Sequence, residues 1–389
     1  MIIQNRHIVI ICELVFTKRD YGRAGVEILS QYYNVRVLNL SPLIRLSYHE
    51  LRREENFTFK DYYEIGDISE VYDTLVSLPS GSIVIDYMFE GNIQTQIRRY
   101  CRANQILLTK VSVGTTPVRL KGSIINTLVV PPAKYLFRNY YSLRCKIRDL
   151  IPIPNALHDI SIWSGNTCKY SHYWRTPYRI PAHSFDYDLY LRYRESVDNL
   201  GSPYVIFLDQ NLGLNHDRII TGTKPVVSSD YYQRLEAFFD LIENDFGIPV
   251  KIAGHPKARY NHQHPLRFRE IINDDTPRLV KSSSLVLAHY TTSISFAVLW
   301  RKPIILMTTD EMINKNFIRR AMGIIHEELN AQILNIDQDT HSLPLSLMLN
   351  RKELSLYEKY QSNHIKVPGT PDIPLWEIFS NTLTSQSIH

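Results

Sequence analysis

LVLAHYTTSISFAVLW, residues 285–300, carries an aliphatic run, a polar turn rich in hydroxyls, and an apolar stretch led by small residues. A short aliphatic run bounded by a turn marks a strand buried on both faces, as in a parallel sheet covered by helices. The stretch therefore predicts strand, turn and helix in immediate succession. Downstream, PIILMTT (303–309) predicts another strand after the Lys302-Pro303 break. Upstream, YVIFLD (204–209) and PVKIAGH (249–255) predict two more. Between them YYQRLEAFFDLIENDFG (231–247) places Leu235, Phe238, Phe239 and Ile242 at helical spacing and stops at Gly247. HPLRFREIIND (264–274) is expected to form a short helix.

The first half shows the same alternation. HIVII (7–11) predicts the opening strand, followed by a loop over Glu13–Asp20 and a helix around Tyr21–Tyr32. NVRVLNL (34–40) is the second strand and GSIVIDY (81–87) the next; a helix over 92–103 leads into ILLTKVSV (106–113). Residues 131–184 are less regular and rich in Pro, Tyr, Arg and His, which suits the end of a domain and a connection. Strands alternating with helices give an α/β fold of parallel sheets. The expected architecture is two Rossmann-like domains facing across a cleft, residues 1–184 and 185–367, with a tail over 368–389 that crosses back.

Composition bounds the function. Hydrophobic residues at 44% and charged residues at 21% describe an ordinary folded protein of 389 residues, long enough for two cores. Cys12, Cys101, Cys145 and Cys168 stand far apart with no CxxC pair, which argues against a zinc site or a disulfide framework and fits a reducing cytosol. A net charge of +5 suits an anionic small molecule or an anionic membrane surface, and no nucleic-acid-binding spacing accompanies it. The basic stretch FRNYYSLRCKIRDL (137–150) is open to two readings, a solvated helix face or a membrane-docking one. HIVIICELVF is too short to span a bilayer and lacks a cleavage site. The expected place is the cytoplasm, at most with peripheral contact at the inner face of the cytoplasmic membrane.

Ligands of open parallel sheets bind beyond the carboxyl ends of the strands. Three polar clusters fall there. Asp209 ends one strand, with Asp217 in the same loop. A carboxylate at a rigid strand end can accept a proton from an acceptor hydroxyl, although capping a turn would also explain it. Gly254, His255, Pro256 and Lys257 follow the next strand, with Arg259 close by. The glycine allows close approach of a ligand, and an imidazole can stabilise charge developing on a leaving phosphate. His289, Thr291, Thr292, Ser293 and Ser295 follow the third. Capping explains one or two such hydroxyls. Four in five positions at a helix start suit a phosphate, because donors and dipole both favour an anion.

FLDQNLGLNHD (207–217), GHPKARY (254–260), AHYTTSISFAV (288–298) and RKPIILMTT (301–309) together resemble bacterial surface-polysaccharide glycosyltransferases of GT-B fold, most nearly the sialyltransferase-like and Kdo-transferase-like enzymes. The likeness covers about residues 180–310; SFDYDLYL (184–191) is similar to the interdomain segment of those proteins, and the first half matches in layout only. The resemblance implies inverting, metal-independent transfer of a nonulosonic or Kdo-type sugar from a CMP donor, with no bound cofactor. The acceptor would be a glycan or lipid-linked glycan, lying near Glu13–Arg23 and the Tyr87–Gly91 loop. His255-Pro256 matches the family's HP motif, and Ser293 with Ser295 matches its hydroxyl motif. The acidic motif departs from the pattern, since Gln210 follows Asp209 and Gly213 stands further off; Asp217 is the alternative base. Lys257 or Arg259 would pair with the sugar carboxylate. A UDP- or GDP-sugar or CDP-glycerol donor, or a non-catalytic nucleotide-sugar-binding protein, keeps the same fold.

Overall fold

The computed structural model describes residues 6–114, 158–167, 176–196, 202–213, 226–256, 258, 260, 264–338 and 353–386. The aliphatic runs form two wholly parallel sheets. In the first, β1 (His7–Cys12), β2 (Asn34–Asn39), β3 (Tyr62–Glu64), β4 (Ile83–Tyr87), β5 (Leu107–Ser112), β6 (Ile160–Ser164) and β7 (Tyr178–Ala182) stand in the order β3-β2-β1-β4-β5-β6-β7. In the second, β8 (Val205–Leu208), β9 (Val250–Ala253), β10 (Ile271–Ile272), β11 (Leu285–Ala288), β12 (Ile304–Thr308) and β13 (Gln332–Asn335) stand in the order β10-β9-β8-β11-β12-β13. Each order reverses once, between β1 and β4 and between β8 and β11. Such reversals open the crevices where ligands of doubly wound sheets sit.

Register decides which residues share a crevice. Leu208 pairs with Ala253 on one side and Ala288 on the other. Asp209, Gly254 and His289 therefore leave three adjacent strands at one level. Behind them the core is tight: Phe207, Phe239 and Leu235 are buried, and the helix Tyr231–Phe246 ends where Gly247 turns left-handed at φ 65°.

Several expectations need correction. The helix expected around Tyr21–Tyr32 begins earlier, at Lys18, under a Thr17–Asp20 capping box, and breaks at Gly25. Gly25 has φ 64°, and a Cβ there would collide with the indole of Trp376. Residues 264–269 form turns, and Ile271 and Ile272 pair with β9 where a helix was expected. The less regular segment contains β6 and β7, which extend the first sheet; Pro181 is tolerated because β7 is the edge strand. The basic stretch 137–150 lies outside the described residues.

After the second sheet the chain returns to the first. Lys366 bridges His183 antiparallel, and the helix Leu375–Ser385 buries Leu375, Trp376, Phe379 and Leu383 in the core of the first sheet. Trp376 Nε1 donates to the Arg23 carbonyl at 2.8 Å, so this crossing is pinned beside the helix Lys18–Arg23. Among the described residues no helix is long and apolar enough to cross a membrane.

Candidate active site

A cleft of about 1010 Å³ opens at the second sheet's reversal and is lined from both halves. Lys18, Arg19 and Arg23 come from the first half; Asp209, Gly254, His255 and Thr291–Ser293 come from the ends of β8, β9 and β11. Thr292 and Ser293 are half-buried and Thr291 nearly buried; the Thr291 hydroxyl accepts from the Ser293 N–H at 3.2 Å. The hydroxyl cluster therefore faces the same space as His255.

Asp209 is 7% exposed, and that small exposure lies in the cleft. Its Oδ1 accepts from the Asn211 N–H at 2.9 Å and its Oδ2 from the Tyr260 hydroxyl at 2.5 Å. The Gln210 backbone N–H donates to this carboxylate as well. A carboxylate has about four acceptor sites, so about one remains for a ligand. Burial raises its pKa above the ordinary carboxylate value, and the bonds from Tyr260 and from the Asn211 and Gln210 N–H groups oppose the rise. A raised pKa makes a carboxylate a stronger base near neutrality.

His255 is half-buried, and its backbone N–H donates to the Tyr260 hydroxyl oxygen at 2.6 Å; Pro256, exposed, lines the cleft beside it. Gly254 serves a closer neighbour than a ligand. A Cβ there would strike the Asn273 side-chain oxygen and the Tyr260 ring, so the absence of a side chain lets the protein close on itself.

Two expected phosphate ligands stand elsewhere. His289 is fully buried, with Nδ1 donating to the Met307 carbonyl at 2.6 Å and Nε2 accepting from the Tyr231 hydroxyl at 2.7 Å. Burial lowers its pKa to about 4, and the uncharged ring stitches β11 to β12 away from the cleft. Ser295 is 7% exposed; its hydroxyl donates to the Thr292 carbonyl at 2.8 Å and lies beside Asp186, so it secures the helix Ile294–Leu299 against the connection. Glu13, expected near the acceptor, is fully buried; it accepts from the Phe89 N–H at 3.1 Å and Gln94 Nε2 at 2.6 Å and holds the loop after β4. Lys257, Arg259 and Asp217 lie outside the described residues.

Sequence reasoning passed over Tyr260 and Asp186. Tyr260 sits inside the quoted GHPKARY, but nothing local shows that it reaches a residue 51 positions away. Asp186, also buried in the cleft wall, pairs with Arg23 at 3.5 Å and links the helix Phe185–Tyr193 to the first half. Among the described residues no group of three or more His, Cys, Asp or Glu side chains is placed to hold a metal ion.

No family model matches the chain, and no curated protein matches it. Solved structures do. A putative UDP-N-acetylglucosamine 2-epimerase from Listeria monocytogenes is 12% identical with a TM-score of 0.51, over 98% of this chain and 96% of that one. Acinetobacter baumannii MurG is 10% identical with a TM-score of 0.46, over 92% and 96%. Phytolacca americana UGT2, complexed with UDP-2fluoro-glucose and pterostilbene, is 11% identical with a TM-score of 0.49, over 99% and 100%. At 12% identity the Listeria likeness, with its TM-score of 0.51, speaks for the fold alone, and the fold is GT-B.

Proposed function

We propose that the chain is a glycosyltransferase that seats a nucleotide-sugar donor at the ends of β8, β9 and β11 and an acceptor against the first sheet. One observation carries the reading. A buried carboxylate with about one acceptor site to spare, Asp209, faces a cleft that it shares with His255 and the Thr291–Ser293 hydroxyls. Proton acceptor and anion cradle are thereby held on three neighbouring strand ends, a rigid place for a reaction centre.

The donor proposed is a CMP-activated nonulosonic or Kdo-type acid, on the match of His255-Pro256 and of Ser293 to that family; Ser295, the other half of the hydroxyl match, stands away from the cleft. The acceptor hydroxyl gives its proton to Asp209 as its oxygen bonds to the anomeric carbon. The bond from that carbon to the phosphate oxygen breaks, and CMP leaves with the electron pair. His255 and the hydroxyls of Thr291, Thr292 and Ser293 take up the charge on the departing phosphate. A single phosphate places less charge than a diphosphate, so the transfer is proposed to run without a metal. The Listeria protein is named for UDP-N-acetylglucosamine, which makes UDP-sugars the rival donors.

The role of His255 is tested by His255→Ala. Release of CMP from a CMP-activated nonulosonic acid should fall by roughly a hundredfold, the scale of losing one charge-stabilising donor. Circular dichroism and the melting temperature should stay near wild type, since the half-buried ring fills little of the core. Near-normal turnover in a folded variant would make this histidine structural.

A further inference from the structure

Tyr260 takes no step in the transfer above, yet its hydroxyl lies 2.5 Å from the proposed base. The directions of its two bonds are fixed by chemistry. A backbone N–H can only donate, so the phenol oxygen accepts from His255; an ionised carboxylate can only accept, so the phenol donates its proton to Asp209. One atom thus ties the base at the end of β8 to the phosphate-side histidine after β9. The ring is held in turn. It packs on His264 with centroids 4.5 Å apart, and its edge lies against Gly254, where a Cβ would not fit.

Left alone, an aspartate carboxyl turns freely about its last torsion, whose preferences are broad. Here Asn211 holds Oδ1 and Tyr260 holds Oδ2, so the plane of the carboxyl is set from both sides. We propose that Tyr260 is a positioning residue for transfer, fixing the Asp209 carboxyl toward the acceptor and locking it to the His255 turn. The inference rests on the reading of Asp209 as the base. Within the family likeness drawn above this tyrosine has no role, and it emerges from the geometry alone.

The titratable groups around Asp209 come from several elements. Tyr231 and Tyr232 face it from the helix Tyr231–Phe246, with His289 behind Tyr231. His255, His264 and Tyr260 stand on the turn after β9, and Arg19, Arg23 and Asp186 line the opposite wall of the cleft. Burial and the neighbouring carboxylate push the Tyr260 phenol far above its ordinary value, so it remains a donor throughout the working range. Its bond favours the ionised form of Asp209, and losing it leaves the carboxyl easier to protonate.

The test is the pH profile of kcat/KM for CMP release from a CMP-activated nonulosonic acid, for wild type, Tyr260→Phe, and a protein with 3-fluorotyrosine installed at 260 alone. Tyr260→Phe keeps the ring and removes the donor, so the acid limb should move up by about one pH unit. Fluorotyrosine is a stronger donor, so its acid limb should move down. KM for the donor should stay within about twofold in both, because Tyr260 is not among the described residues that line the cleft. A folded Tyr260→Phe with the wild-type profile overturns the proposal. Should that variant fail to fold, an unmoved acid limb in the fluorotyrosine protein overturns it equally. Asp209→Asn, assayed alongside, separates the two layers. If it retains turnover, the base assignment falls and Tyr260 with it. If it is inactive while neither tyrosine change moves the limb, only the role of Tyr260 falls.

Discussion

Asp209→Asn should lower transfer by roughly 10²- to 10⁴-fold, the contribution of a positioned general base, while nucleotide affinity stays within about twofold. The substitution keeps the size of the side chain: its one oxygen can go on accepting from the Asn211 N–H, and its NH2, which takes the place of Oδ2, can donate to the Tyr260 oxygen once that hydroxyl turns away, so the end of β8 keeps its shape. What disappears is the capacity to take a proton. The same change should leave the melting temperature at neutral pH equal to or above that of wild type. The sign follows from burial, which raises the folded pKa of Asp209. A group with a raised folded pKa favours the fold below its unfolded value and loses that contribution as pH rises through the folded one. At neutral pH the ionised carboxylate is therefore a cost that the amide does not carry. Asp217→Asn is the control from the same loop. Loss of transfer there, with Asp209→Asn active, would move the base eight residues along the chain.

Arg98→Leu should unfold the protein more easily by about 3–5 kcal/mol, read as a lower denaturant midpoint, because it strands a buried charge. Arg98 and Asp86 are essentially inaccessible, and Arg98 Nε donates to Asp86 Oδ2 at 2.7 Å. The other end of the guanidinium donates to the carbonyls of Met88 and Phe89, both at 3.0 Å, so one side chain holds β4 and the loop that follows it. Burial alone would raise the Asp86 pKa, yet bonds from His158 and Arg98 more than offset this and hold it well below the ordinary 3.8. A depressed folded pKa contributes stability that is full above 3.8 and drains as pH falls below it. The gap between wild type and Arg98→Leu should therefore narrow in acid. Replacing both partners, as Asp86→Leu with Arg98→Leu, should recover part of the loss, since it leaves neither the carboxylate nor the guanidinium buried alone, while His158 and the Met88 N–H lose the acceptor that Asp86 gave them. An additive double variant would contradict the account of this pair.

The strands nearest the cleft were legible because burial on both faces writes an uninterrupted aliphatic run, as in VIFL of β8 and LVLA of β11. Strands with little burial wrote nothing. β3 is a three-residue edge strand, and β10 is a half-buried pair of isoleucines embedded among helix-forming residues. Asp209, His255 and the hydroxyls could be placed at strand ends, because a run that stops at a polar residue marks the edge of the sheet. Direction was beyond reach. His289 stands level with Asp209, yet its ring turns inward to Tyr231 and Met307. Ser295 is two residues from Ser293, but the first helical turn carries it round to Asp186. Tyr260 and the Arg98–Asp86 pair depend on contacts between separate elements, which no local pattern encodes.

A nucleotide seated at the ends of β8, β9 and β11 is the central claim, and calorimetric titration of CMP, UDP and GDP into the full chain without magnesium tests it most directly. CMP should bind, and more tightly than the other two, because the cradle of His255 and the Thr291–Ser293 hydroxyls is proposed to seat one phosphate, and with magnesium left out of the titration the second phosphate of UDP or GDP goes uncompensated. Equal or tighter binding of UDP would remove the CMP assignment and keep the seat. Failure of all three to bind would contradict the claim itself.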